Sequence, residues 1–398
     1  MTRPDVDMGV AEGLTAPAAR SSRLRILHLS AGNLYGGVET FMNTLARSRD
    51  LCPQMEPHFA LCYEGRVSRE LADTGASVHL LGPVRISRPW TVWRARRRLG
   101  ELLGKERFDA VVCHMDWPLA IFGSTVRAAG CRLVFWEHGV PLKRNWLQRM
   151  ANWTGADLAI TNSRFTAGEM QSYFHNVPVE VVFYPVAGVD AREFADRRAA
   201  VRAEQQVPGD TAVIIQVGRM EWWKGHFLHL QALAQLKDLE PWVCWMVGGP
   251  QRAKEEDYFR RLQETARELG IADRVRFLGQ RSDVPELLAA ADIFCQPNQG
   301  PEPFGLVFIE ALHAGRPIVT TALGGPVEIV DESCGLLAEP DNPAALSAAL
   351  RRLIQAPELR ERLGRSGPRR ASKLCDPATQ LKELHRLLFM LCNRRRVA

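Results

Sequence analysis

The chain reads as an α/β protein of two domains, each a doubly wound parallel sheet, with the two sheets facing a central cleft. Three observations predict this. Short apolar runs of strand length alternate with longer amphipathic stretches, the pattern of parallel strands joined by crossover helices. The 398 residues exceed what one hydrophobic core comfortably organises. A segment with the proline and glycine of a linker, Tyr184-Pro185-Val186-Ala187-Gly188-Val189-Asp190, interrupts the alternation near the middle.

Taken in order, residues 1–23 hold acids, prolines and alanines but no basic start followed by an apolar core, so a disordered tail is expected and not a signal peptide. The first domain, 24–186, should carry strands at 26–30, 58–62, 77–80, 110–114, 132–136, 158–161 and 180–183. The second, 187–375, should carry strands at 213–217, 242–247, 275–278, 293–296 and 318–320. Helices are expected between them, for example at 38–48, 255–269, 285–290 and 306–314, and a last amphipathic helix at 376–392.

Residues 302–310, Glu-Pro-Phe-Gly-Leu-Val-Phe-Ile-Glu, carry the most chemistry. Pro303 and Gly305 make a turn ahead of a helix that ends at Gly315-Arg316-Pro317. Glu302 therefore precedes a helix N-terminus, and Glu310 lies inside the helix. Free N–H groups and the positive dipole end suit a phosphate there, and flanking carboxylates can accept from sugar hydroxyls. On residue types alone, two solvated surface glutamates explain an isolated pair better. A second glycine loop, Gly324-Gly325-Pro326, follows the next strand and reads as another phosphate-friendly turn.

Composition excludes several classes. Nine cysteines without a Cys-x-x-Cys pair argue for reduced thiols and a cytoplasmic setting. No apolar run reaches the length of a membrane span. Net charge is +6, and residues 1–200 hold 25 basic and 20 acidic side chains. The excess gathers at 85–107 (Arg85, Arg88, Arg94, Arg96, Arg97, Arg98, Lys105, Arg107), interleaved with Trp90 and Trp93. Lys143-Arg144-Asn145-Trp146, Arg149 and Trp153 form a second such segment. Two readings stand: a basic aromatic helix resting on an anionic membrane surface, or a solvated helix whose tryptophans pack on the sheet. No nucleic-acid-binding module accompanies the charge. His226 and His229 have helical spacing but no third ligand, so no metal is expected, and no cofactor.

The ordered motifs resemble the retaining GT-B glycosyltransferases of family 4: Glu302 and Glu310 with seven residues between them, then Gly324-Gly325. Earlier come Gly36-Gly37-Val38-Glu39 after the first strand, Trp136-Glu137-His138-Gly139, Thr161-Asn162-Ser163, and Val217-Gly218-Arg219 with Lys224-Gly225. The resemblance spans nearly the whole chain beyond the tail. It implies two Rossmann-like domains, the first binding the acceptor and the second a nucleotide-sugar, with helix 376–398 crossing back to the first domain. It implies that Arg219 and Lys224 neutralise the donor diphosphate, that Glu310 binds the ribose, and that Glu302 contacts the sugar hydroxyls. Gly305 and Leu306 would offer backbone N–H groups beside Phe304. Gly36, Gly37 and Gly218 would admit the phosphates closely, and His138 would hydrogen-bond the donor sugar. As an ordinary turn, and as a structural strand-end histidine, Gly36-Gly37 and His138 also have bland readings. Trp222-Trp223 departs from the family's usual loop, either closing over the nucleotide, projecting into the acceptor side or packing at the domain surface.

The function so implied is transfer of a sugar from a nucleotide-sugar to an acceptor hydroxyl with retention, in polysaccharide or glycolipid assembly. The acceptor would be a sugar or lipid-linked, with peripheral contact at the inner membrane face through the Arg94–Arg98 cluster. Alternatives are a small soluble acceptor, a nucleotide-sugar epimerase on the same bilobal fold, or a catalytically silent nucleotide-sugar-binding scaffold.

Overall fold

The computed structural model describes residues 23–394 apart from 33–35, 142–145, 173, 175, 189–190 and 240. The tail, the Lys143-Arg144-Asn145 part of the second basic segment and the end of the linker therefore lie outside the described residues.

Two wholly parallel sheets form. The first contains β1 (Leu24–Ser30), β2 (Met55–Leu61), β3 (Ser77–Leu80), β4 (Ala110–His114), β5 (Arg132–Glu137), β6 (Leu158–Thr161) and β7 (Val179–Val181), in the order 3-2-1-4-5-6-7. The second contains β8 (Ala212–Val217), β9 (Trp242–Val247), β10 (Val275–Gly279), β11 (Ile293–Gln296), β12 (Ile318–Thr321) and β13 (Gly335–Ala338), in the order 10-9-8-11-12-13. Central strands β4, β9, β11 and β12 are buried at every residue. Helices cover both of their faces, which is why they read as unbroken apolar runs.

Every expected strand is present, with ends shifted by a few residues. β13 was not anticipated, because Gly335-Leu336-Leu337-Ala338 is short, glycine-led and half-exposed at a sheet edge. In both sheets the strand order reverses beside the first strand of the unit, between β1 and β4 and between β8 and β11. Crevices at such switch points, outside the carboxyl ends of the strands, are where open α/β sheets hold ligands.

The helix Pro89–Lys105 buries Thr91, Ala95, Leu99 and Leu103, a stripe at four-residue spacing. Trp90 and Trp93 lie off that stripe and are 61% and 63% exposed. The expectation that they pack on the sheet is thereby corrected. Helix Trp146–Thr154 behaves alike: Gln148 and Ala151 turn inward, while Trp146 and Trp153 face outward. Among the described residues no helix is long and apolar enough to cross a membrane, and all nine cysteines are buried with none in a disulfide.

The last helix, Pro377–Asn393, starts at Asp376, whose carboxylate accepts from the Thr379 N–H at 2.8 Å. It buries Leu381, Leu384, Leu387, Leu388 and Leu391. The thiol of Cys392 at its far end donates to the carbonyl of Asp109 in the first unit at 3.6 Å. Truncating Leu388, which is fully buried, should lower stability by about 2–5 kcal/mol. Urea unfolding of Leu388→Ala checks this, and an unchanged midpoint would show that the helix adds little to the fold.

Candidate active site

The carboxyl ends of the two sheets meet where 302–310 faces the first unit. The helix Leu306–His313 begins after Gly305, and Gly37, which opens the helix Gly37–Arg47, lies against it. A methyl added to Gly37 would sit 3.6 Å from Leu306 Cδ1, an ordinary contact. Protein packing alone therefore does not demand glycine at Gly37.

Lys224 and Glu302 form the centre of the site. Lys224 Nζ donates to Glu302 Oε2 at 2.5 Å, with only 12% and 9% of the two side chains exposed. Lys224 follows β8 through a single 3-10 turn, Trp222–Lys224. The chain then crosses under the loop after β11 at Gly225, where a Cβ would lie 1.7 Å from the Pro297 carbonyl oxygen. With φ near 72° as well, no other residue fits. Gln216 Nε2 donates to the Lys224 carbonyl at 2.8 Å, and Gln216 is itself held by His229 at 2.8 Å.

Trp223 packs against the basic group that follows it. Its indole face lies 4.0 Å from Lys224 Nζ, a cation–π contact. Its Nε1–H donates to Glu221 Oε2 at 2.9 Å. Glu221 also accepts from Arg219 at 3.0 Å. One indole and one carboxylate therefore aim both basic groups. Trp222 instead stands 66% exposed. Gly218 donates its N–H to Val247 O at 2.9 Å and leaves room for the Lys224 stem.

The second glycine loop does not form a separate phosphate turn. Gly324 and Gly325 press on the first loop: a Cβ on either would come within 2.6 Å of the Glu302 or Pro303 carbonyl oxygen. Gly325 N–H donates to Glu302 O at 2.8 Å. The pair is a backing for the Glu302 loop. Two other readings are also corrected. Phe304 is buried as a wedge between units, stacked on Phe183 at 5.7 Å and edge-on to Tyr184 at 5.4 Å. His138 has both ring nitrogens engaged by protein, His114 at 2.7 Å and Tyr184 at 2.5 Å, so neither is free for a sugar in this conformation.

Glu310 lines a cavity of about 270 Å³ between the units, with Thr40, Phe41, Arg47, Leu288 and Leu306. Burial raises its carboxyl above the usual range. Glu39, across the interface, is also raised by burial, opposed by N–H donation from its helix start and by the charge of Arg219.

Contacts that hold the units together went unread in the sequence. Ser163 Oγ donates to Pro303 O at 2.5 Å and Thr166 Oγ1 at 3.3 Å. The Glu328 carboxylate accepts from Arg164 N–H at 3.0 Å and Phe165 N–H at 2.7 Å. The only available signal was Ser163 as an N-cap residue. Among the described residues, His58, His79 and Glu106 are near enough to share a metal ion. The Arg25 guanidinium already bridges that group, 2.8 Å from Glu106 and 3.4 Å from His58.

With this geometry established, similarity to known proteins is informative. The description "Glycosyltransferase Family 4" matches residues 35–186 and "Glycosyl transferases group 1" matches 197–370. A lipopolysaccharide core biosynthesis glycosyltransferase, LpsD of Rhizobium meliloti, is 32% identical over 86% of this chain and 92% of its own length. The chain belongs to the family 4 glycosyltransferases. A D-inositol 3-phosphate glycosyltransferase of Streptomyces avermitilis is 36% identical over 54% of the chain, which spans about half (48%) of that relative. The crystal structure of Anabaena HepE in complex with UDP has the same fold, with a TM-score of 0.78 at 23% identity, covering 92% of this chain and 100% of that one.

Two predictions follow from the family 4 site. Removing one partner of a buried ion pair strands the other, whereas replacing both by apolar groups of similar size is far milder. Lys224→Ala should therefore cost about 3–5 kcal/mol, and Lys224→Met with Glu302→Leu should recover most of that loss. Thermal and urea unfolding of the single and double variants tests it; additive losses would show the pair to be independent. The second concerns acid. Burial holds His28, His138, His226 and His229 near 3, against an ordinary value of 6.5, and His114 well below it. These groups take up protons only on unfolding, so the unfolded chain binds more protons between about pH 6.5 and 3. Stability from them is complete above pH 6.5 and is lost as pH falls, by about 1.4 kcal/mol per histidine per pH unit. Glu137 works oppositely, since burial and the nearby Asp116 charge raise its carboxyl. Melting curves from pH 7 to 5 should show a steep fall; a flat midpoint would mean the rings are hydrated.

Proposed function

We propose that this chain transfers a sugar from a nucleotide-sugar donor to an acceptor hydroxyl with retention of anomeric configuration, in cell-surface polysaccharide or glycolipid assembly. The buried Lys224–Glu302 pair beside Arg219, at the start of the helix Leu306–His313, is the observation that carries it. In this reading residues 24–186 bind the acceptor and 187–375 the donor. Arg219 and Lys224 stabilise negative charge on the departing diphosphate, aided by first-turn N–H groups of Gly305 and Leu306. Glu302 accepts from donor-sugar hydroxyls and Glu310 from the ribose. The bond from the anomeric carbon to the phosphate oxygen breaks as the acceptor oxygen bonds on the same face. The acceptor proton passes to the departing phosphate oxygen, so no protein nucleophile is required.

The donor proposal draws support from the UDP bound to the structural neighbour HepE. A lipid-linked acceptor, reached from the inner membrane face, draws support from the outward tryptophans. Trp90, Trp93, Trp146 and Trp153 are all more than half exposed, and the Arg97 guanidinium lies over the Trp93 ring at 5.8 Å. Such indoles settle at the headgroup level while arginines meet anionic lipid.

Two experiments test this. Nucleotide release is followed over a panel of nucleotide-sugars, with and without candidate acceptors, beside Lys224→Ala. One donor should turn over, with the variant slower by about 100-fold or more; a folded native protein that neither binds nor turns over any donor would end the proposal. Analysis of product stereochemistry decides retention. Co-sedimentation with phosphatidylglycerol vesicles should exceed that with phosphatidylcholine and fall in Trp93→Ala/Trp153→Ala. Equal binding to neither would point to a soluble acceptor.

A further inference from the structure

His138 is the inner member of a buried hydrogen-bonded chain that crosses three adjacent strands. His28 on β1, His114 at the end of β4 and His138 just after β5 stand side by side. His28 Nδ1 lies 3.0 Å from His114 Nε2, and His114 Nδ1 lies 2.7 Å from His138 Nε2. His138 Nδ1 lies 2.5 Å from the Tyr184 hydroxyl, at the start of the linker. All three rings are buried. His28 Nε2, at the far end, has no partner among the described residues.

The direction of the protons follows from one amide. Asn162 Nδ2 lies 3.4 Å from the His138 carbonyl and 3.0 Å from the Tyr184 oxygen. A carbonyl can only accept, so the amide NH₂ faces both groups and donates to the tyrosine oxygen. The Tyr184 proton is then free to donate to His138 Nδ1. His138 must carry its own proton on Nε2 and donate to His114 Nδ1. His114 in turn donates from Nε2 to His28 Nδ1, leaving a single orphan, the Nε2–H of His28. The reverse polarity would strand two groups, the His28 lone pair and the Tyr184 proton. Buried orphans of this kind each cost about 1–3 kcal/mol, so the first polarity prevails.

We propose that His28, His114 and Tyr184 are positioning residues that fix the His138 ring as the neutral Nε2–H tautomer. The donor end of the chain is set by domain closure, because Phe304 of the second unit packs edge-on against Tyr184 at 5.4 Å. The ring orientation at the cleft is therefore tied to the Glu302 loop two residues away from that wedge.

Protein labelled with ¹⁵N-histidine, studied by long-range ¹H–¹⁵N correlation, reports the tautomer directly, with His138 assigned by its loss in His138→Asn. The native ring should carry a lone pair at Nδ1 and a proton at Nε2. Tyr184→Phe, which removes only the donor to Nδ1, should abolish that fixed state. His114→Gln, whose amide oxygen still accepts from Nε2–H, should preserve it, whereas His114→Leu should not. A native ring protonated on Nδ1 or averaging between tautomers would overturn the proposal, and the native spectrum alone suffices for that. So would a Tyr184→Phe protein unchanged in tautomer. If no donor turns over, the transferase reading fails while the spectrum still decides the chain's polarity.

Discussion

The Lys224–Glu302 ion pair is the constraint on which the rest of the site depends. Two charges taken out of water are tolerated only if each is matched and the remaining valences are met. The local architecture supplies those conditions one by one. Gly225 lets the lysine's chain cross beneath the Pro297 carbonyl, Trp223 covers the ammonium with its ring face, and Gly324-Gly325 press the Glu302 backbone into place. Arg219 is paired with Glu221 in the same way. Two cations and two carboxylates thus stand close together, so the resting site is near neutrality. In the proposed reaction an incoming diphosphate would draw the cations from their carboxylates, and hydroxyl groups on the same ligand would satisfy the carboxylate so released.

Closure of the two units uses these same loops. Pro303 accepts from Ser163 and Thr166, Phe304 wedges against Phe183 and Tyr184, and Glu328 occupies the N–H groups at the start of helix Arg164–Gln171. Residues 302–306 and 324–328 therefore assemble the site and clasp the first unit at once. A carboxylate at a helix start is favoured by the dipole as well as by its hydrogen bonds, and this one joins elements more than 160 residues apart in sequence.

How far the sequence could reveal this varied with the physics involved. Buried central strands announce themselves as apolar runs, so β4, β9 and β11 were located to the residue. The edge strand β13 has one side in solvent and lacks that signature. The glutamate pair and the basic loop were legible because the order of motifs along the chain resembles the family's; on their own they read as solvated surface residues. Side-chain destinations were not. Trp90 and Trp93 differ from Thr91 and Ala95 by one or two positions, and only the choice of buried stripe tells which face water. Phe304 looked like part of a ligand loop until a second domain was there to receive it. The histidine chain needs the register of β1, β4 and β5 before three separated residues become neighbours.

The ionisable groups around the cleft also constrain where a proton can go during transfer. His138 is held neutral by burial and has both nitrogens engaged, so it is poorly placed to take a proton from an acceptor hydroxyl. Glu137, beside it, accepts from the Gly139 N–H at 2.7 Å and is raised by burial, which makes it a staple for the strand end. Glu302 is matched to Lys224. A group already committed to an internal partner must break that bond before it can act as a base, and in a buried setting the broken bond has no water to replace it. The donor's own phosphate oxygen carries no such penalty, since its negative charge grows as the sugar departs. None of these three groups is an uncommitted base, which is consistent with the proposed route in which the leaving group takes the proton.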